Sequence, residues 1–173
     1  MGLGMDSGSL SEVKDHLQDP EPYVRLNAAQ ALRKIACKGY APAVTAITAR
    51  LEDGDWMVRK AALRALAKIV AQPDVQAATA VTDCLKKDKY YDVRRAAVFA
   101  LSRTVEKRDR DAFAALKDQS LMDDSLYVTL DAAKAAALIV DENDPEAVCW
   151  IRGHVKDAEK EVRAAELACC HRA

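Results

Sequence analysis

Apolar residues recur along this chain in two alternating registers separated by polar turns. The second register is anchored by Val24, Val58, Val93, Val128 and Val162, which stand 34, 35, 35 and 34 residues apart. Counting from each valine, positions 0, +4, +7, +8 and +11 fall on one stripe of a 3.6-residue helix. They read Val24, Ala28, Ala31, Leu32, Ile35 in the first copy and Val58, Ala62, Ala65, Leu66, Ile69 in the second. Position +7 is small throughout: Ala31, Ala65, Ala100, Ala135, Cys169. A helix that buries alanines needs neighbours that approach closely. The first register lies 14, 11 and 7 residues before each anchor, as Leu10, Val13, Leu17, then Val44, Ile47, Leu51, and in the fifth copy Val148, Ile151, Val155. In the third copy it slips by one, to Val81 and Leu85. In the fourth Leu116 slips likewise, with Leu121 keeping the −7 place.

A fixed period in this range signals stacked repeats rather than one globular core. The unit reads helix, short turn, helix. Five residues before every anchor stands an aspartate (Asp19, Asp53, Asp88, Asp123, Asp157), and one residue after it an arginine in four of five copies (Arg25, Arg59, Arg94, Arg163). Thr129 is the exception. The constant spacing predicts a ladder in which each arginine bonds an aspartate of its own or the adjacent turn, with a weaker junction at Thr129. Taken in order, the segment 1–8 reads as a leader and the repeats as 9–38, 42–71, 73–107, 109–141 and 144–173. Ser9-Leu-Ser-Glu12 has the form of a capping box. Pro22, Pro42, Pro73 and Asp144-Pro145 open helices, Gly39 and Gly54 follow helix ends, and Ser125 stands where it would cap the eighth helix. A tenth helix is expected from about Glu159 to the end.

The stretches Asp53-Gly-Asp-Trp-Met-Val58-Arg59-Lys-Ala-Ala62-Leu-Arg-Ala65-Leu66 and Asp19-Pro-Glu-Pro-Tyr-Val24-Arg25-Leu-Asn-Ala28-Ala29-Gln-Ala31-Leu32 resemble the HEAT repeat, in the short form found in phycobilisome lyases. The resemblance runs from Leu10 onward and implies an all-α, right-handed α-solenoid of five two-helix repeats. The tetratricopeptide repeat has a similar period, but its Trp/Leu-Gly/Tyr first-helix pattern is missing. A repeat of this kind serves many functions, so it specifies fold rather than activity.

Half of the 173 residues are hydrophobic and 5% aromatic, alanine making up the difference, and the formal net charge is −1. No global field steers the chain to nucleic acid or membrane, and no apolar run spans a bilayer. The N-terminus lacks the basic and apolar regions of a signal peptide, and Asp6 breaks the myristoylation pattern. Five cysteines (Cys37, Cys84, Cys149, Cys169, Cys170) without a Cys-x-x-Cys pair argue against a disulfide framework and for an intracellular, cytoplasmic setting. The last helix finishes on Leu167, Cys169 and Cys170 without a polar cap, so either self-association through it or a longer array is expected.

Candidate chemistry is sparse. His16 and His154 flank core positions. HEAT-like di-iron enzymes carry His-Glu pairs, and this sequence has none. Cys169-Cys170-His171 places adjacent ligands in different directions on one helix, with no partner pair elsewhere. No Gly-rich phosphate loop and no Gly-x-Ser-x-Gly elbow occur. We therefore expect no catalytic residue, no metal and no cofactor.

In the family's geometry the second helices line the concave face. Their outward positions hold Leu26, Gln30, Arg33 and Lys34; Lys60, Arg64 and Lys68; Arg95, Phe99 and Arg103; and Leu130, Lys134 and Leu138. The face is thus expected to be basic over three repeats and more apolar in the fourth. Three readings follow. The chain is a non-enzymatic scaffold gripping an acidic segment of a protein partner, with Phe99, Leu130 and Leu138 as apolar anchors. Alternatively it binds a nucleic-acid backbone, as HEAT-like DNA glycosylases do, which the acidic turns disfavour. The resemblance alone suggests the third, a subunit of a bilin lyase. Tyr23, Trp56, Tyr91 and Tyr127 are expected along one edge, covering the turns.

Overall fold

The computed structural model describes residues 7–170, apart from 72 and 142, and side chains from 11 to 164. Nine helices follow one another in the described residues: α1 (Ser7–His16), α2 (Pro22–Ile35), α3 (Ala41–Thr48), α4 (Trp56–Ile69), α5 (Val75–Lys87), α6 (Tyr91–Thr104), α7 (Arg110–Met122), α8 (Leu126–Ile139) and α9 (Pro145–Cys170). A 3-10 turn, Ala49–Glu52, extends α3. The architecture is an all-α solenoid, as the periodicity predicts.

The second helices α2, α4, α6 and α8 pack side by side, each also resting on the first helix of its own repeat. The first helices touch one another more sparsely, and a groove of about 780 Å³ opens between α3 and α5. The stack therefore closes on its second-helix layer, the inner layer. The predicted stripe explains that closeness. Val58, Ala62, Ala65, Leu66 and Ile69 are fully buried, as are Val93, Ala97, Ala100, Leu101 and Thr104 in the same register. With alanine at two of those five places, neighbouring backbones approach until dispersion contacts are made on both flanks. The first-helix stripe is buried at Leu17, Val44, Ile47, Leu51, Val81, Leu85 and Leu116. Leu121 is not: it is half exposed, and Ser120 takes the buried place. The one-residue slip at Leu116 thus persists through the turn, because the helix stays regular to Met122.

Two ties hold successive repeats together. In the first, Arg25 Nε and Nη2 donate to Asp53 Oδ2 and Oδ1 at 2.7 and 2.8 Å. Arg59 meets Asp88 in the same way at 2.6 and 3.0 Å, and Arg94 meets Asp123 at 2.7 and 2.8 Å. The Nη1 atoms donate to the carbonyls of Asp19, Asp53 and Asp88 in their own turns. Each aspartate also accepts the N–H two residues on, from Asp55, Tyr90 and Ser125. One guanidinium therefore fixes two turns, and one carboxylate fixes the start of the next second helix. Bidentate, charge-assisted geometry of this kind is strong and directional. Burial pushes the Asp53 and Asp123 carboxyls up, but the hydrogen bonds from Arg25 and Arg94 and from the turn amides outweigh it, leaving both below the ordinary 3.8.

The second tie lies at the other end of the second helices. Gly39 N–H donates to Ile69 O at 2.7 Å, Asp74 N–H to Thr104 O at 3.0 Å, and Arg108 N–H to Ile139 O at 2.7 Å. Each linker thus caps a terminal carbonyl of the following repeat's second helix, a group with no partner inside that helix. Gly39 and Arg108 reach this position with φ of 78° and 70°.

The fifth repeat departs from the expected pattern. α9 is one helix of 26 residues, so the turn at Asp157 and the separate tenth helix do not form. Asp157 is largely exposed and sits 3.7 Å from Lys160, and Arg163 makes no ion pair among the described residues. The Asp157 and Arg163 rungs of the expected ladder are therefore absent. The reason is local. Asp157-Ala-Glu-Lys160 contains no Gly or Pro to stop a helix, and Thr129, where the other repeats have arginine, offers no guanidinium to hold Asp157 in a turn. Thr129→Arg alone is expected to change stability by less than about 0.5 kcal/mol, because the exposed mid-helix Asp157 gains at most a solvated pair. Chemical denaturation of the two proteins checks this.

Smaller differences remain. Helix α1 begins at Ser7, inside the expected leader, and the Ser9 side chain of the capping box lies outside the described residues, as do those of Cys169 and Cys170. Ser125 makes no side-chain cap on α8; Asp123 serves that end by accepting the Ser125 N–H. Asp55, Asp74 and Asp109 cap α4, α5 and α7.

Candidate functional site on the inner face

The outward residues of the second helices share one face, and their environments divide them. Lys60 Nζ lies 2.6 Å from Asp92 Oδ1, Arg95 Nε lies 2.7 Å from Asp131 Oδ2, and Lys134 Nζ lies 3.0 Å from Glu159 Oε1. Each of these pairs joins neighbouring helices. Three of the expected cations are thus partly neutralised by carboxylates that the sequence reading left out. Their signal was present: Asp92 precedes an anchor valine by one residue and Asp131 follows one by three, both on the same side of their helices as the cations.

Arg33, Lys34, Arg64, Lys68 and Arg103 have no carboxylate partner among the described residues. Arg33 is half-buried, and the other four are exposed. The Arg103 guanidinium lies 5.3 Å from the centroid of the Phe99 ring, which is half exposed. Leu138 is exposed and Leu130 half-buried.

Between α2 and α4 the inner face sinks into a pocket of about 340 Å³ lined by Leu26, Gln30, Arg33, Trp56, Met57, Lys60, Ala61 and Arg64. Trp56 stacks on Tyr90 with ring centroids 5.3 Å apart, and Lys60 Nζ lies 5.4 Å from the Trp56 ring. Of the aromatic edge, Tyr23, Tyr91 and Tyr127 are exposed and Trp56 half-buried. Among the described residues, no group of His, Cys, Asp and Glu has the geometry to hold a metal ion. Cys84 is buried, its thiol pushed up to about 11 chiefly by burial. No helix among the described residues is long and apolar enough to cross a membrane.

The model of the HEAT repeats family matches residues 10–102, more than half of the chain. The chain is a HEAT-repeat protein. Proteins of this family generally act as protein-interaction scaffolds. Two engineered proteins whose crystal structures come from the Northeast Structural Genomics Consortium share the fold. One is 24% identical with a TM-score of 0.57, covering 90% of this chain and 70% of its own. The other is 24% identical with a TM-score of 0.55, covering 90% and 69%. No curated protein matches the chain in sequence.

Proposed function

We propose that this HEAT-repeat protein is a non-enzymatic interaction module that binds an acidic segment of a protein partner along its inner face. The observation that carries the reading is the row of cations left without carboxylate partners, Arg33, Arg64, Lys68 and Arg103, on three successive second helices. Arg103 lies against the Phe99 ring, and Leu138 is exposed on the next second helix. Arginine guanidinium groups favour bidentate carboxylates, and exposed apolar patches on a soluble protein mark contact sites. A nucleic-acid backbone fits less well, because it calls for many phosphate contacts and three of the cations on this face are already paired with Asp92, Asp131 and Glu159.

The test compares the wild type with Arg33→Glu/Arg64→Glu/Arg103→Glu. All three side chains lie outside the core, so the variant is expected to keep its helical content. Partners retained from a lysate are identified, purified and remeasured singly. Binding of a purified protein at wild type that falls at least about tenfold in the variant supports the reading. Retention of nucleic acid that falls steeply with salt would contradict it, as would equal binding by both proteins.

A further inference from the structure

The pocket between α2 and α4 differs from the rest of the inner face. It has an apolar floor of Leu26 and Ala61 and a wall of Trp56, and Arg33 and Arg64 stand at its mouth. The wall is held in place: Trp56 is stacked on Tyr90, and Lys60, beside its ring, is tied to Asp92. Such a preformed surface loses little freedom when a ligand enters. The volume of about 340 Å³ is at the small end for ligand sites and leaves room for one large side chain. The two guanidinium groups at the mouth have no carboxylate among the described residues, whereas Lys60 in the same lining has one.

We propose that this pocket receives a single apolar side chain of the partner's docking segment, with carboxylates on either side of it bound by Arg33 and Arg64. The inference rests on the inner-face reading above and specifies its ligand: a short peptide of the form acidic, large apolar, acidic. The apolar residue provides the anchor by leaving water against Leu26, Trp56 and Ala61. The flanking carboxylates select the segment by charge and fix its register through forked hydrogen bonds. Basic segments of equal apolarity are repelled by the two guanidinium groups, and neutral ones forgo the charge-assisted contacts.

The probes are three capped tripeptides: acetyl-Glu-Leu-Glu-amide, acetyl-Glu-Ala-Glu-amide and acetyl-Lys-Leu-Lys-amide. The readout is two-dimensional amide NMR of the whole chain, with the Trp56 indole N–H as local reporter. The first peptide is expected to move the Trp56, Leu26 and Arg64 signals saturably, in the millimolar range typical of so few contacts. Replacing its leucine by alanine is expected to weaken binding about tenfold, as for partial burial of an isobutyl group. Arg33→Gln/Arg64→Gln is expected to weaken it by about tenfold too. The basic peptide is expected to move none of these signals.

Equal binding of the leucine and alanine peptides would overturn the anchor. Equal binding of the basic peptide would overturn charge selection. No saturable shift at the pocket would overturn the proposal as a whole. None of these results touches the broader inner-face reading, which is tested separately by the binding of a purified partner to the charge-reversed protein.

Discussion

Arg94→Ala is expected to lower the unfolding free energy by about 3–5 kcal/mol, the range for breaking a buried ion pair from one side. Arg94 joins the turn before α6 to the turn before α8, and its side chain is 10% exposed while that of Asp123 is fully buried. Removing the guanidinium leaves that carboxylate with only Gln119 and the Ser125 amide and frees the carbonyls of Asp88 and Lys89. In a chain of this size the melting temperature should fall by on the order of 10 °C. Because repeats contact chiefly their neighbours, amide exchange should rise first in α7, α8 and α9. Arg95→Ala is the contrast. Its pair with Asp131 is more than a third exposed on both sides, so its loss should cost less than about 1 kcal/mol.

The same pair sets a pH dependence. The Asp123 carboxyl is lowered in the folded state, so its contribution to stability is fully present above the unfolded value of 3.8 and is lost as pH falls through the lower folded value. In Arg94→Ala the carboxylate is buried without its cation, and protonation relieves it. The stability gap between the two proteins should therefore be widest near neutral pH and narrow below about pH 4. A gap independent of pH would mean that lost packing, not the ion pair, causes the destabilisation.

Gly39→Val is the second large effect. Gly39 has φ of +78°, and a Cβ there would stand 3.0 Å from Ala71 Cβ. The left-handed conformation alone costs a non-glycine residue about 1–2 kcal/mol, and a β-branched side chain adds the clash with Ala71. A loss of about 2–3 kcal/mol is expected. Relaxing the strain would pull the Gly39 N–H away from Ile69 O and release the end of α4. Arg108 occupies the corresponding place two repeats on with φ of 70° and bears the cost already. Arg108→Gly should therefore stabilise the protein, or at worst leave it unchanged, because its ion pair with Asp141 is largely solvated. Thermal melts check both halves: Gly39→Val should melt lower than the wild type and Arg108→Gly no lower.

The stripe of valine, alanine and leucine made the second helices legible because each of its positions is buried against a neighbour in α4, α6 and α8. The alternation of aspartate and arginine was legible for the same reason, as a side-chain interaction stamped on the sequence once per repeat. The tie from Gly39, Asp74 and Arg108 was not. It is made by backbone N–H groups, which any residue but proline supplies, so three unlike side chains hold equivalent places. In α9 local helix propensity overrides the periodicity. Val162 keeps its register, yet Asp157-Ala-Glu-Lys160 continues a helix where Asp53-Gly and Asp19-Pro stop one. On the inner face the cations and the register positions of Asp92 and Asp131 were visible in the sequence, but their pairing was not, since i,i+32 and i,i+36 pairs such as Lys60–Asp92 and Arg95–Asp131 are defined only by stacking. The pocket between α2 and α4 was likewise invisible, being a gap between helices rather than a motif.

The most direct test of inner-face binding is site-specific photo-cross-linking. A benzophenone amino acid replaces Phe99, half exposed among the inner-face cations, and in a second protein it replaces Met122, exposed at the end of α7. A purified partner is irradiated with each, and the joined peptide is sequenced. The account predicts a cross-link from position 99 alone, to a segment with net negative charge. A cross-link from position 122 alone, or from position 99 to a basic segment, would contradict it.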